Sequence, residues 1–293
     1  MSSRSRSDPG VSGSRLARLG TVIGVAALVA GCAGVGSGQS TTGTSAEPVK
    51  SEASPSALPT TPLGPSLRPD ATPEDPLLGS EAVAFTTDDG VSIEGRVFGA
   101  GKVGIVLAHG QFENGQGSWF SYAHSLSTKG YAVLTLNLRG YCPGGSNGCS
   151  GGSRNPPETW RDVVAGATYL HKSGTARVFI MGASLGARSC LWAASRPAIT
   201  VAGVIAVSAP LKAVGEYSPR YDFTREVIAA INEPKLLVAG DGDEHYATEA
   251  QTMFDWAAEP KQLSIVPSTA HGPILMGAPK AINAVLDFLE RYR

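Results

Sequence analysis

The 293-residue sequence has no long apolar run and no run of consecutive basic residues. The apolar stretch Leu19–Ala30 is only 12 residues long, too short for a helix that needs ~20 to cross a bilayer. Lys and Arg number 24 against 25 Asp and Glu, a formal net charge of -1. That balance lacks the basic footprint of a nucleic-acid binder. Cysteine is scarce too, at 4 residues. Neither Cys142 nor Cys149 has a His or a further Cys at ligand spacing nearby, so no metal site is expected there. Between Cys32 and residue 79 large apolar side chains are too few to offset the entropy of ordering the chain. This segment, rich in Ser, Thr, Pro, Gly and Ala, reads as a disordered tether over 32–79, with a reach of about 40 Å as a flexible coil.

The short apolar stretch follows a basic head carrying Arg4, Arg6, Arg15 and Arg18. A basic head, a short apolar core and a small-residue end describe a signal peptide over 1–31. Its last residues, Val29-Ala30-Gly31-Cys32, resemble the bacterial lipobox, in which the cysteine is lipidated, with palmitate among its acyl chains, and becomes the mature N-terminus. The protein is therefore expected to be exported and held by its lipid on the outer face of the cytoplasmic membrane or in the cell envelope. Disulfides persist there, and Cys142 and Cys149 are natural partners across a short Gly/Pro loop. Cys190 lies in an apolar helical pattern and is expected to be a buried free thiol.

From residue 80 to 293 short β-rich runs alternate with helical patterns. Strands are expected at 81–87, 91–98, 103–108, 131–137, 176–181, 201–208, 235–240 and 262–267. Helices are expected at 117–129, 157–173, 185–195, 223–232, 245–258 and 279–292. The first two strands flank Asp88-Asp89-Gly90, a hairpin turn. This order predicts an α/β domain with an eight-stranded, mostly parallel sheet and helices on both faces. In such sheets functional groups collect beyond the carboxyl ends of the strands.

Two stretches match the G-x-S-x-G pattern of serine nucleophiles: Gly182-Ala183-Ser184-Leu185-Gly186 and Gly148-Cys149-Ser150-Gly151-Gly152. In a Gly- and Ser-rich chain such a short pattern arises by chance, so context decides. Ser184 directly follows a strand and opens a helix, the sharp turn a nucleophile elbow needs. The helix N-terminus also offers free N–H groups to a developing oxyanion. Ser150 has no strand before it, and Pro156 and Pro157 follow soon after.

A serine hydroxyl needs a general base oriented by a carboxylate. Of five histidines, His271 follows the last strand on a loop at the carboxyl edge, whereas His124 and His171 fall within helices. His245 lies too close in sequence to the acids to be their partner. Those acids, Asp241 and Asp243, stand just beyond the strand 235–240, where either could instead form a turn or cap a helix.

Taken together, these residues make residues 80–293 resemble an α/β-hydrolase of the dienelactone hydrolase and esterase type. The chain order Ser184, Asp243, His271 is that of the family's nucleophile, acid and base. The family's G-x-x-D pattern, read on Gly240-Asp241-Gly242-Asp243, selects Asp243, with Asp241 as fallback. "VLAHGQFENG" resembles the family's H-G-x turn, which implies an oxyanion hole from the backbone N–H groups of Gln111 and Leu185, with His109 structural. The segment Asn137-Leu138-Arg139-Gly140-Tyr141-Cys142-Pro143-Gly144 departs from the family's D-x-R-G-x-G-x-S, and the cysteine loop is expected at the pocket rim. Only about 26 residues separate the sixth and seventh strands, which predicts little or no lid and an open site. The resemblance implies a lipid-anchored serine hydrolase, of carboxylesterase type, acting on small-molecule or lipid-like esters. It implies neither metal nor organic cofactor, and no nucleic acid partner. Thioesters or peptides are alternative substrates. The other reading is a non-catalytic envelope lipoprotein that uses the fold as a binding module.

Overall fold

Branched aliphatic residues dominate the short runs between turn signals, and in the computed structural model eight of these runs pair into one sheet. The structure describes residues 75–293. The expected signal peptide, Cys32 and nearly all of the tether lie outside the described residues. The strands are β1 (Ser80–Thr86), β2 (Ser92–Phe98), β3 (Val103–Ala108), β4 (Ala132–Leu136), β5 (Arg177–Ala183), β6 (Gly203–Val207), β7 (Lys235–Gly240) and β8 (Lys261–Val266). Their spatial order is β1-β2-β4-β3-β5-β6-β7-β8. The β1–β2 and β2–β4 pairings are antiparallel and the remaining five parallel, as the resemblance implies.

Helices α1 (Phe120–Ser127), α2 (Thr159–Lys172), α3 (Leu185–Ala194), α4 (Arg225–Ala229), α5 (Tyr246–Trp256) and α6 (Pro279–Tyr292) cover the sheet. Alternate residues of each central strand point to opposite faces, so β3 and β5 serve two cores at once. Val106 and Ile180 pack with Val163, Leu170, Leu191 and Met253 from α2, α3 and α5. Ile105, Leu107, Phe179 and Met181 pack with Leu126, Val285 and Phe288 from α1 and α6. Burial on both faces explains why β4, β6 and β7, buried throughout, are mostly apolar, with Thr135 and Lys235 the polar exceptions. Among the described residues no helix is long and apolar enough to cross a membrane.

Local polar contacts fix the sheet's first edge. Thr87 N–H bonds to Val91 O at 2.9 Å across the β1–β2 turn. Arg139 ties that turn to α2, donating to Asp89 Oδ2 at 2.8 Å and to Asp162 Oδ1 at 2.9 Å. Cys142 and Cys149 form a disulfide, and Cys190 is a buried free thiol. The residues between β6 and β7 hold only a 3-10 turn, Gly215–Tyr217, and the five-residue α4. They build no lid domain.

Candidate active site

The turn from β5 into α3 is set by close backbone packing. A Cβ on Gly182 would lie 2.3 Å from Gly186 O, and one on Gly186 would lie 2.1 Å from Ala108 O. Only glycine at both places lets α3 start against the end of β3. Ser184, between them, has φ 52 and ψ -115, a conformation that costs a non-glycine residue on the order of 1–3 kcal/mol and that clusters at functional sites. Its N–H is held by Val207 O at 2.9 Å, and its side chain stands half-buried at the sheet's carboxyl edge.

Asp243 and His271 come together because the loops after β7 and β8 are bonded to each other. Gly242 N–H donates to Ser268 O at 3.0 Å and Ser268 N–H to Asp241 Oδ1 at 3.0 Å. His271 Nδ1 then lies 3.0 Å from Asp243 Oδ2 and 3.1 Å from Oδ1. The Asp243 side chain is 4 % exposed, that of His271 29 %. A carboxylate only accepts, so Nδ1 is the donor of this contact, and in the neutral ring that leaves the lone pair on Nε2. Asp241 is exposed and spent on the Ser268 amide, which makes Asp243 the partner of His271 and Asp241 a loop staple.

His271 is brought toward Ser184 by Gly272, whose Cβ position lies 3.6 Å from Ala183 Cβ. The His271 ring packs on Tyr246, with centroids 4.5 Å apart, and edge-on to Phe112 at 6.4 Å. Ser184 Oγ makes no hydrogen bond among the described residues, so the structure joins acid to base but leaves the serine–histidine contact open. Such contacts are often looser without substrate.

Three residues here escape sequence reasoning. Ser208 Oγ donates to Asp243 Oδ2 at 2.7 Å and accepts from Gly272 N–H at 3.2 Å, bracing acid and base together from a backbone at φ 48. Its only signal in the sequence is a serine at the end of a buried strand. Tyr246 and Phe112 carry no motif.

Gln111 and Leu185 both border the cavity beside Ser184. Leu185 is the first residue of α3, where an N–H has no carbonyl of its own helix to meet. His109 is fully buried beneath this turn. Its Nε2 accepts from Leu138 N–H at 3.0 Å and its Nδ1 faces Gly110 O, so it fastens the turn after β3 to the end of β4. Burial holds its pKa down at about 4.

The cavity beside Ser184 is small, about 90 Å³. Pro156, Pro157 and Trp192 form one side, and Pro210, Lys212, Val214 and Tyr221 from the β6–β7 segment form another. The site is thus walled by that segment and less open than expected. The cysteine loop is not its rim: no residue from 142 to 152 lines the cavity. Ser150 instead is buried, donating to Asn137 O at 2.8 Å and accepting from Glu94 N–H at 2.9 Å. It fastens the disulfide loop to β2. His124 and His171 lie in α1 and α2, and exposed His245 precedes α5. Among the described residues no group of three or more His, Cys, Asp or Glu could hold a metal ion.

With this geometry in view, the chain's relatives are informative. Residues 105–282 match the alpha/beta hydrolase family, and the protein belongs to that family. It has no match among curated proteins. An alpha/beta hydrolase from Penicillium sp. sh18 superposes with a TM-score of 0.61 at 18% identity, covering 73% of this chain and 99% of that one. An esterase from Pyrococcus furiosus gives 0.58 at 18% identity, covering 75% and 95%. A dienelactone hydrolase from Anabaena variabilis gives 0.55 at 18% identity, covering 73% and 95%. At such identities the likeness is one of fold.

Proposed function

We propose that the protein is an exported, lipid-anchored serine hydrolase that cleaves carboxylic esters or related acyl bonds. Ser184 Oγ attacks the acyl carbon while His271 Nε2 takes its proton, and Asp243 stabilises the resulting imidazolium. The oxyanion accepts from the N–H groups of Leu185 and Gln111, each such donor being worth roughly 10²–10³ in kcat. His271 returns its proton to the leaving alcohol, and water, activated by the same imidazole, releases the acid from the acyl-serine.

The observation that carries this reading is the 3.0 Å contact between His271 and buried Asp243, at the sheet edge where strained Ser184 opens α3. The esterase and dienelactone hydrolase among the structural neighbours are consistent with it. A fluorophosphonate probe tests it: the wild-type protein should label, Ser184→Ala should not, and Ser150→Ala should label like wild type. A wild-type protein that does not react would instead favour a non-catalytic binding module.

The anchor rests on the Arg-rich head, the 12-residue apolar core and the Val29–Cys32 motif. Cys32→Ala should move the protein from the membrane fraction to the soluble one, and unchanged retention would count against lipidation.

A further inference from the structure

The walls of the small cavity beside Ser184 are held in place from every side. Leu185, Arg188 and Trp192 line it from α3. Residues three and four apart share one helix face, so the cavity follows α3 away from Ser184, and Trp192 is the last residue of the helix along it. Pro156 and Pro157 line it too, with backbone φ fixed by their rings. Their turn is bonded to α3 through Thr159, whose Oγ1 donates to Pro156 O at 2.8 Å and lies 2.7 Å from Ser189 Oγ.

The wall from the β6–β7 segment is pinned to the same helix. Buried Arg188 donates to the carbonyls of Pro210 at 2.7 Å, Leu211 at 3.0 Å and Tyr221, and its guanidinium lies 4.5 Å from the Phe223 ring centroid. Phe223 in turn stacks on Trp192, with centroids 5.2 Å apart. The Arg196 guanidinium lies 4.6 Å from the Trp192 ring centroid. The indole is thus held by a ring and by a cation, and it cannot swing aside without losing both contacts.

The three arms of an ester at Ser184 go to different places. Its carbonyl oxygen turns to the N–H groups of Gln111 and Leu185, and its leaving alcohol must reach His271 Nε2 to receive a proton. Gln111, Ser184 and Leu185 border the cavity, whereas His271 does not. The acyl chain is the arm left to enter it. An apolar cavity of roughly 150 Å³ holds the six carbons of benzene, so one of about 90 Å³ has room for about four. Forcing further methylenes between walls that do not yield is as costly as overpacking a core.

We propose that this cavity is the acyl site and that the esters cleaved at Ser184 carry acyl groups of about four carbons or fewer, with Trp192 setting the limit. The inference rests on the serine hydrolase reading above. Hydrolysis of nitrophenyl butyrate and nitrophenyl octanoate by the wild-type full chain tests it, and the butyrate should be favoured about tenfold or more in kcat/KM. Hexyl acetate and ethyl hexanoate are isomers that carry the longer chain on the alcohol side and on the acyl side respectively. Hexyl acetate should be cleaved about tenfold faster. Trp192→Ala should lower the preference for butyrate over octanoate at least about tenfold. Trp192→Leu, which keeps more of the packing on Phe223, should shift it the same way by a smaller factor. Octanoate turned over as fast as butyrate, ethyl hexanoate preferred to its isomer, or a butyrate preference that both Trp192 variants leave as it was overturns the acyl site alone. Failure to cleave any of the four esters overturns it too, and takes the hydrolase reading with it where the fluorophosphonate probe also fails to label.

Discussion

Ser208 illustrates how one hydroxyl can brace two loops, the one that carries Asp243 and the one that carries His271. It donates to Asp243 and accepts from the amide of Gly272, so Ser208→Ala removes a charge-assisted bond and orphans a buried N–H. A loss of about tenfold in kcat, with KM nearly unchanged, is expected from steady-state kinetics. Asp243→Asn should cost far more, roughly 10³–10⁴ in kcat, because the amide favours the wrong imidazole tautomer. Asp241→Asn should stay within about tenfold, since it serves only a loop amide. His109 carries a pH signature. Its pKa in the fold is about 4 against an ordinary 6.5, so between those values the unfolded state binds more protons. Stability is therefore complete above about pH 6.5 and falls as pH drops toward 4, by up to roughly 3 kcal/mol. Urea titrations across that window should show the slope, and His109→Gln, though less stable, should flatten its share of it. The sequence singles out Ser184, Asp243 and His271 because each follows a strand in a recognisable order, and the structure joins the last two. Ser208 was not, because its role depends on two loops meeting.

Element by element, the apolar runs located every strand to within about two residues, the central ones because burial on both faces leaves little else for those positions to be. Helix ends were harder to read. The helix expected at 117–129 begins as a 3-10 turn over Gly115–Trp119, with Gly117 N–H bonded back to Asn114 O, and becomes α-helical only at Phe120. The helix expected at 223–232 shrinks to Arg225–Ala229, and Ile231 N–H closes it with a bond to Ile228 O at 3.3 Å. In neither segment does an apolar face long enough to impose regular turns meet the core. The strand-to-helix turn at Ser184 is the opposite case, since the position of α3 against β3 depends on a side chain's absence. Gly186→Ala would drive a methyl group into the carbonyl of Ala108. It should destabilise the domain by about 3 kcal/mol in denaturant unfolding. Fluorophosphonate labelling should slow even where the fold survives, because the amide of Leu185 would shift away from Gln111.

At the scale of the whole domain, parts far from the chemistry hold the sheet's antiparallel edge to its parallel centre. The disulfide loop is one of them. The Cys142–Cys149 pairing was legible from the two cysteines' spacing, but the loop's position was not, because its anchors come from distant strands. Cys149 N–H donates to Glu94 Oε2 at 2.8 Å, and the Asn147 carbonyl accepts from Gln116 Nε2 at 2.8 Å and from Asn137 Nδ2. The loop thus ties β2, the end of β4 and the turn before α1 into one unit, outside the lining of the cavity beside Ser184. Cys142 and Cys149 are seven residues apart, and closing so short a loop in the unfolded chain is worth roughly 2–3 kcal/mol. The double variant Cys142→Ser/Cys149→Ser should lose about that much stability in urea unfolding. Because no residue of the loop lines the cavity, its kcat/KM on a neutral ester under fully native conditions should stay within about threefold of wild type. A large loss of turnover without a loss of stability would place the loop at the substrate after all.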